Sequence, residues 1–83
     1  MNFANHVDIA ARNVPDKRAV ADPGGSLTFR ELARASDRVA DGLAGLGVDV
    51  GERVAIAAPS GVAFVASYLG ILKRGALPVP LNS

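Results

Sequence analysis

The 83-residue chain contains no cysteine and no tryptophan, and its one histidine is His6. Without cysteine there is neither a disulfide framework nor a cysteine-based zinc site, two devices by which small domains offset a thin core. A lack of cysteine also suits a reducing compartment, so the cytoplasm is the expected setting. Aromatic residues make up 5% of the chain, too few to suggest a platform for stacked bases. Neither sign of charge dominates. The net charge is +1, and the basic residues sit singly or in pairs, as at Lys17-Arg18 and Lys73-Arg74. A nucleic-acid footprint needs a basic stripe or patch, so no nucleic-acid partner is expected. The opening Met1-Asn2-Phe3-Ala4-Asn5-His6 has no basic segment followed by an apolar run and does not read as a secretory signal.

What the chain does have is apolar residues, 49% of the total, which sets it apart from disordered sequences. Its length allows one small domain, and a chain of this size buries only about 60% of its unfolded surface. There is no internal repeat and no low-complexity segment.

Apolar spacing predicts a first helix. Asn2 is placed as its N-cap, and Phe3, Val7, Ala10, Ala11 and Val14 recur on one face, with Asp8, Arg12 and Asn13 on the other. Pro15 ends it, because proline disfavours helical geometry at the preceding residue. Ala19 to Leu27 reads as a small hairpin turning through Asp22-Pro23-Gly24-Gly25. Thr28-Phe29-Arg30-Glu31 matches a capping box. The helix it starts has an apolar stripe of Phe29, Leu32, Ala33, Ser36, Val39, Ala40 and Leu43, with Arg30, Arg34, Asp37, Arg38 and Asp41 outside. Arg34–Asp37 and Arg38–Asp41 are spaced as surface ion pairs, each contributing about 0.2–0.5 kcal/mol. Gly47 is positioned to end this helix in a left-handed turn.

After a loop turning at Gly51, Arg53 to Ala58 forms an almost wholly apolar run, read as a strand buried on both faces. Pro59-Ser60-Gly61 breaks it, and a helix apolar on nearly all sides runs from about Val62 to Arg74. Lys73 and Arg74 complement the negative end of its dipole and Gly75 caps it. Ala76 to Leu81 follows as a strand. Pro78 and Pro80 have no N–H to give, so they belong at its ends or on an unpaired side. The expected fold is therefore α/β: an N-terminal helix, a small β-hairpin, then a helix and a right-handed parallel βαβ unit, together part of a larger layered α/β domain.

The motifs that invite a functional reading have plainer accounts. Gly42-Leu43-Ala44-Gly45-Leu46-Gly47 lies at a helix end, whereas a dinucleotide fingerprint stands between a strand and a helix start. Gly70 to Gly75 encloses Lys73, but a phosphate loop needs the lysine after its second glycine, followed by serine or threonine. Ser60 follows a strand as a nucleophile elbow does, yet Ala58 and Val62 stand where that motif needs glycine; Ser60 is read as the N-cap of the next helix. His6 reads as a solvated surface residue. The uncharged stretch from Val54 to Leu72 is long enough to span a membrane, but Pro59-Ser60-Gly61 divides it into a strand-length and a helix-length piece, and no membrane span is expected.

Several stretches, in this order and spacing, resemble the start of the adenylate-forming (AMP-dependent synthetase/ligase) superfamily. They are Pro15-Asp16-Lys17-Arg18-Ala19-Val20, Leu27-Thr28-Phe29-Arg30-Glu31-Leu32, Gly51-Glu52-Arg53-Val54-Ala55-Ile56, and Leu69 to Ala76 with Pro78-Val79-Pro80-Leu81-Asn82. The resemblance covers nearly the whole chain. Asn82 and the opening Asn2-Phe3-Ala4 make it most similar to fatty-acyl-CoA synthetases. Arg74, often alanine in the family, and Pro59-Ser60-Gly61, often Pro-Asn-Ser, depart from the pattern at positions without a catalytic role.

The resemblance implies carboxylate activation by ATP through an acyl-adenylate, then thioester formation with coenzyme A. ATP, Mg²⁺ and CoA are implied for the full-length family, and the motifs that hold them lie downstream of the matched region. No catalytic, cofactor-binding or metal residue is transferred to this chain. The expectation is an incomplete domain over 1–83, inactive alone, whose partner is the remainder of the synthetase domain or a complementary chain. A second reading is a small interaction module that docks through exposed sheet edges and an apolar helix; a third is a membrane-associated peptide.

Overall fold

The computed structural model describes residues 3–81. The elements run α1 (Phe3–Asn13), β1 (Arg18–Asp22), β2 (Gly25–Thr28), α2 (Phe29–Gly45), β3 (Arg53–Ile56), α3 (Val62–Arg74) and β4 (Leu77–Pro80). The expected order holds throughout. The N-cap expected of Asn2 and the motif position Asn82 lie outside the described residues.

The capping box forms as its spacing demands. Thr28 Oγ1 accepts from the Glu31 amide at 3.2 Å, and Glu31 Oε1 accepts from the Thr28 amide at 2.9 Å. The next free amides of α2 are also satisfied: Phe29 N–H donates to the Lys17 carbonyl and Arg30 N–H to that of Pro15, both at 3.0 Å. At the other end, Gly47 adopts φ 84°. Gly47 N–H donates to Ala44 and Val48 N–H to Leu43, which together close a Schellman motif.

The helix α3 is the centre of the molecule, touching α1, α2, both hairpin strands, β3 and β4. Leu69 is fully buried and packs with Ala4, Val7, Leu32 and Ala66. On its other side Ile71 joins Ile56 and Ala76. The helices α2 and α3 come close together at Gly70, where a Cβ would lie 2.5 Å from Val39 and 2.8 Å from the Ser36 carbonyl. Ser36 beneath it is buried and donates to the Ala33 carbonyl at 2.9 Å. The side of the apolar helix that carries Ala66, Leu69, Gly70 and Ile71 is thus covered within the chain itself, while Phe64, Val65 and Tyr68 stay half-buried along an apolar groove.

β1 and β2 pair antiparallel, and β3 and β4 pair parallel with Arg53 opposite Leu77 and Ile56 opposite Pro80. Leu77 N–H donates to Glu52 and Leu81 N–H to Ile56. The two-residue alternation of a strand then turns Pro78 and Pro80 to the outer edge of β4, where no N–H is needed. The strand read as buried on both faces is covered on one. Val54 and Ile56 pack against α3, while Ala55 and Ala57 are exposed. The first helix needs a smaller correction: Ala4 and Val7 are its buried positions, and Phe3 is 59% exposed.

Candidate functional site

In α/β proteins ligands gather outside the carboxyl ends of strands and at helix N-termini. The carboxyl ends of β3 and β4 open on a cleft of about 530 Å³ bordered by Pro59, Ser60, Phe64, Pro80 and Leu81. Among the residues lining it, Ser60 alone brings a polar side chain. Ser60 is not the N-cap expected of it. That position belongs to Gly61, at φ 136°, which has no side-chain cap of its own.

The cap arrives from the hairpin. Asp22 Oδ2 accepts from the Val62 amide at 2.9 Å, and Oδ1 accepts from Gly24 at 2.8 Å. The Val62 amide, then that of Gly24, holds the Asp22 carboxyl below its ordinary value against a smaller opposing effect of desolvation, with a further contribution from Gly25. The chain's own ionised carboxylate therefore occupies the position at which a helix N-terminus would receive a phosphate. The start of α2 is likewise filled, by Thr28, Lys17 and Pro15.

The tightest gathering of charge is between the three helices. The Lys73 ammonium donates to Asp8 at 2.8 Å, to Asp37 at 2.7 Å and to the Ala33 carbonyl at 3.4 Å, with 11% of its side chain exposed. Desolvation pulls the Lys73 pKa down, but the hydrogen bonds to Asp37 and Asp8 and their charges outweigh it, and the net shift is upward. A nucleophilic lysine needs a depressed pKa and a free lone pair; this ammonium has neither. It ties α1, α2 and α3 together. Asp37 thus serves Lys73 and not Arg34, and neither Arg34–Asp37 nor Arg38–Asp41 forms an ion pair among the described residues. Arg74, read as a dipole complement, donates through Nε to the Val48 carbonyl at 2.7 Å.

The remaining motifs resolve structurally. The Gly42–Gly47 cluster ends α2. In the Gly70–Gly75 stretch, one glycine admits α2, Lys73 is ion-paired, and Gly75 closes α3 at φ 83°. His6 is exposed at the rim of an apolar groove of about 410 Å³ between α1 and the hairpin, lined by Val7, Val20, Phe29 and Val65. No group of three His, Cys, Asp or Glu among the described residues converges to hold a metal. No buried side-chain polar atom among them lacks a partner. These residues do not fit ATP with Mg²⁺, and no chemical step is derived for them. The uncharged stretch from Val54 to Leu72 is divided between β3 and α3, and no helix among the described residues is long and apolar enough to cross a membrane.

Sequence reasoning missed Asp22 as a cap and Lys73 as a clamp. Asp22 gave a signal, since an aspartate before Pro-Gly is a turn residue with one carboxylate oxygen to spare. Lys73 gave none.

Comparison with known proteins places this geometry. Residues 7–83 match the family profile described as AMP-binding enzyme. The chain is 43% identical over 75 residues to the salicyl-AMP ligase / salicyl-S-ArCP synthetase of Mycobacterium tuberculosis, covering 84% of this chain and 13% of that protein. It is 37% identical over 81 residues to the medium-chain fatty-acid–CoA ligase of Escherichia coli, covering 96% and 14%. A Mycobacterium tuberculosis fatty acyl CoA synthetase superimposes with a TM-score of 0.89 at 31% identity, covering 98% of this chain and 16% of that one. The chain thus spans 13 to 16% of the length of these proteins.

Proposed function

The chain belongs to the AMP-binding enzyme family, and from that premise we propose that it is the N-terminal structural portion of an acyl-CoA synthetase-like ligase domain. In this reading the complete domain activates a carboxylate with ATP and Mg²⁺ through an acyl-adenylate and passes the acyl group to coenzyme A. Residues 1–83 supply scaffold and do not catalyse on their own. One observation carries the reading: a match from residue 7 to residue 83 falls on a stretch whose described charged groups are committed to caps, ion pairs, a main-chain carbonyl or solvent. The partner is the remainder of such a domain, joined to the chain or complementary to it, and the setting is cytoplasmic, in keeping with the absence of cysteine.

The test is complementation. The E. coli medium-chain ligase, deleted of the segment matching this chain, is mixed with the 83-residue protein, and pyrophosphate release is followed with ATP and a medium-chain fatty acid. Restored release by the mixture, with none from the 83-residue protein alone, is expected. Pyrophosphate release by the 83-residue protein alone would overturn the scaffold reading. A mixture as inactive as its parts would overturn the assignment to a ligase domain.

A stand-alone docking module is the second reading. It is favoured by exposed apolar residues on the sheet, with Leu77 51% and Leu81 54% exposed.

A further inference from the structure

We infer that the groove between α1 and the β1–β2 hairpin is a docking surface whose occupant is an acidic amphipathic helix of a partner protein. Its shape and the charge left over around it lead to that one occupant.

Shape comes first. Phe3, Val7 and Ala10 line the groove from α1, and Ala19 and Val20 line it from β1. Strict alternation along a strand would send only one of Ala19 and Val20 to this side. A β-bulge between Arg18 and Val20 breaks the alternation, and both residues pack against the core. Past Phe3 and Val65 the apolar surface continues along α3 to Phe64 and Tyr68, in a second hollow of about 190 Å³. The result is a trough walled by a helix and a strand. The helix α1 has 11 residues and is about 16 Å long, so about three turns of a second helix can lie beside it. Apolar anchors at helical spacing would then enter the trough. A lipid surface is flat and would leave its base unfilled.

Charge comes second. The carboxylates around the groove are engaged: Asp8 with Lys73, Asp16 with Arg30, and Asp22 with the amides of Val62 and Gly24. The cations are not. Lys17 and Arg18, directly before the Ala19–Val20 wall, are exposed and form no ion pair among the described residues. Arg12, in the last turn of α1, is in the same state. The only polar side chain lining the groove is that of His6. An apolar trough with uncompensated positive charge at one end complements a helix that carries carboxylates beside its apolar face. A second copy of this chain does not. A two-fold pairing would bring the same basic patch together from both copies, and the three helices of each copy are already packed into its own core.

The probe is a fluorescein-labelled peptide of about three to four helical turns, with leucine along one face and glutamate elsewhere. Its twin has lysine in place of every glutamate. Fluorescence anisotropy measures binding to the 83-residue protein, and circular dichroism melts check that each variant is folded. The acidic peptide should bind saturably, about tenfold or more tighter than its twin, with a difference that shrinks as salt is raised. Ala10→Gln fills the groove without adding charge and should weaken binding by about tenfold or more. Lys17→Glu with Arg18→Glu should reverse the preference in favour of the twin. Leu46→Lys, at a position 83% exposed beyond the far end of α2, should change nothing. Should Ala10→Gln not fold, the exposed pair Lys17 and Arg18 carries the test.

No saturable binding of the acidic peptide overturns the inference, as does equal binding of the two peptides. Binding that keeps its preference after the double charge reversal overturns it too. A dimer of the chain that Ala10→Gln dissociates would assign the groove to a second copy. Sedimentation with phosphatidylglycerol vesicles, without binding of the peptide, would assign it to a lipid surface. None of these measurements involves ATP or pyrophosphate, so each outcome is independent of the ligase-domain reading.

Discussion

Asp22 and Val62 lie forty residues apart in sequence, and the carboxylate of the first accepts the amide hydrogen of the second at 2.9 Å. A hairpin turn thereby caps the central helix and fixes the hairpin to it. Because the amides of Val62 and Gly24 lower the Asp22 pKa from 3.8, folding binds the ionised form. The stabilisation is therefore complete above the unfolded-state value and lost as pH falls through the lower folded value. Asp22→Asn should lower the melting temperature by a few degrees at neutral pH. It should also flatten the acid limb, so that the difference between the two proteins begins to close only as pH falls below about 4 and vanishes below the folded value. Circular dichroism melts at stepped pH measure this; a constant difference between the proteins across the acid range would refute it.

The same contact assigns different weights to two adjacent residues. Ser60→Ala should change stability by less than about 0.5 kcal/mol, because Ser60 is exposed and caps nothing. Gly61→Ala should cost about 1–3 kcal/mol, because the position has φ 136° and a Cβ there would stand 2.6 Å from Asp22 Oδ2. Urea denaturation of both variants decides it. A large loss from Ser60→Ala would restore that residue to the capping role its position in the sequence suggests.

Much of this fold was legible because its signals are local. Thr28 and Glu31 are three residues apart and meet as a capping box must. Gly47 and Gly75 stand one step past the last helical turns, and the spacing of Pro78 and Pro80 turns both to one edge of a strand. The contacts that escaped the sequence are those made across folded distance. Asp8 and Asp37 reach Lys73 from 65 and 36 residues away, and Asp22 reaches Val62 across 40. Nothing in helical periodicity separates Asp37, which finds Lys73, from Asp41, which does not. Only the crossing of α2 over α3 selects between them.

That crossing depends on Gly70. Alanine is ordinarily favoured over glycine inside a helix by about 1 kcal/mol. Here its methyl group would meet Val39 at 2.5 Å and the Ser36 carbonyl at 2.8 Å, so the sign reverses. Gly70→Ala should destabilise by about 1–3 kcal/mol. Val39→Ala in the same chain should recover part of the loss but not all, because the Ser36 carbonyl is main chain and moves only with α2. Chemical denaturation of the single and double variants tests the pair; a neutral or stabilising Gly70→Ala would mean that the helices do not approach this closely.

Lys73 separates the loss of a cation from the stranding of one. Lys73→Met keeps the packed stem and releases Asp8 and Asp37, whose side chains are 42% and 63% exposed and rehydrate. The cost should be about 1 kcal/mol or less. Replacing both carboxylates, Asp8→Ala with Asp37→Ala, leaves a largely buried ammonium facing the Ala33 carbonyl at 3.4 Å. That should cost about 3–5 kcal/mol, more than the two single changes summed. The pH dependence has the opposite sense to that of Asp22. The folded-state pKa of Lys73 is raised above 10.5, so its stabilisation is complete below the unfolded value and is lost as pH rises through the folded one. Above about pH 10 the wild type should begin to lose stability relative to Lys73→Met, and the loss should grow as pH rises through the folded value. Urea midpoints of the two proteins over that range measure the difference, and parallel curves would show that the ammonium contributes nothing to holding the three helices together.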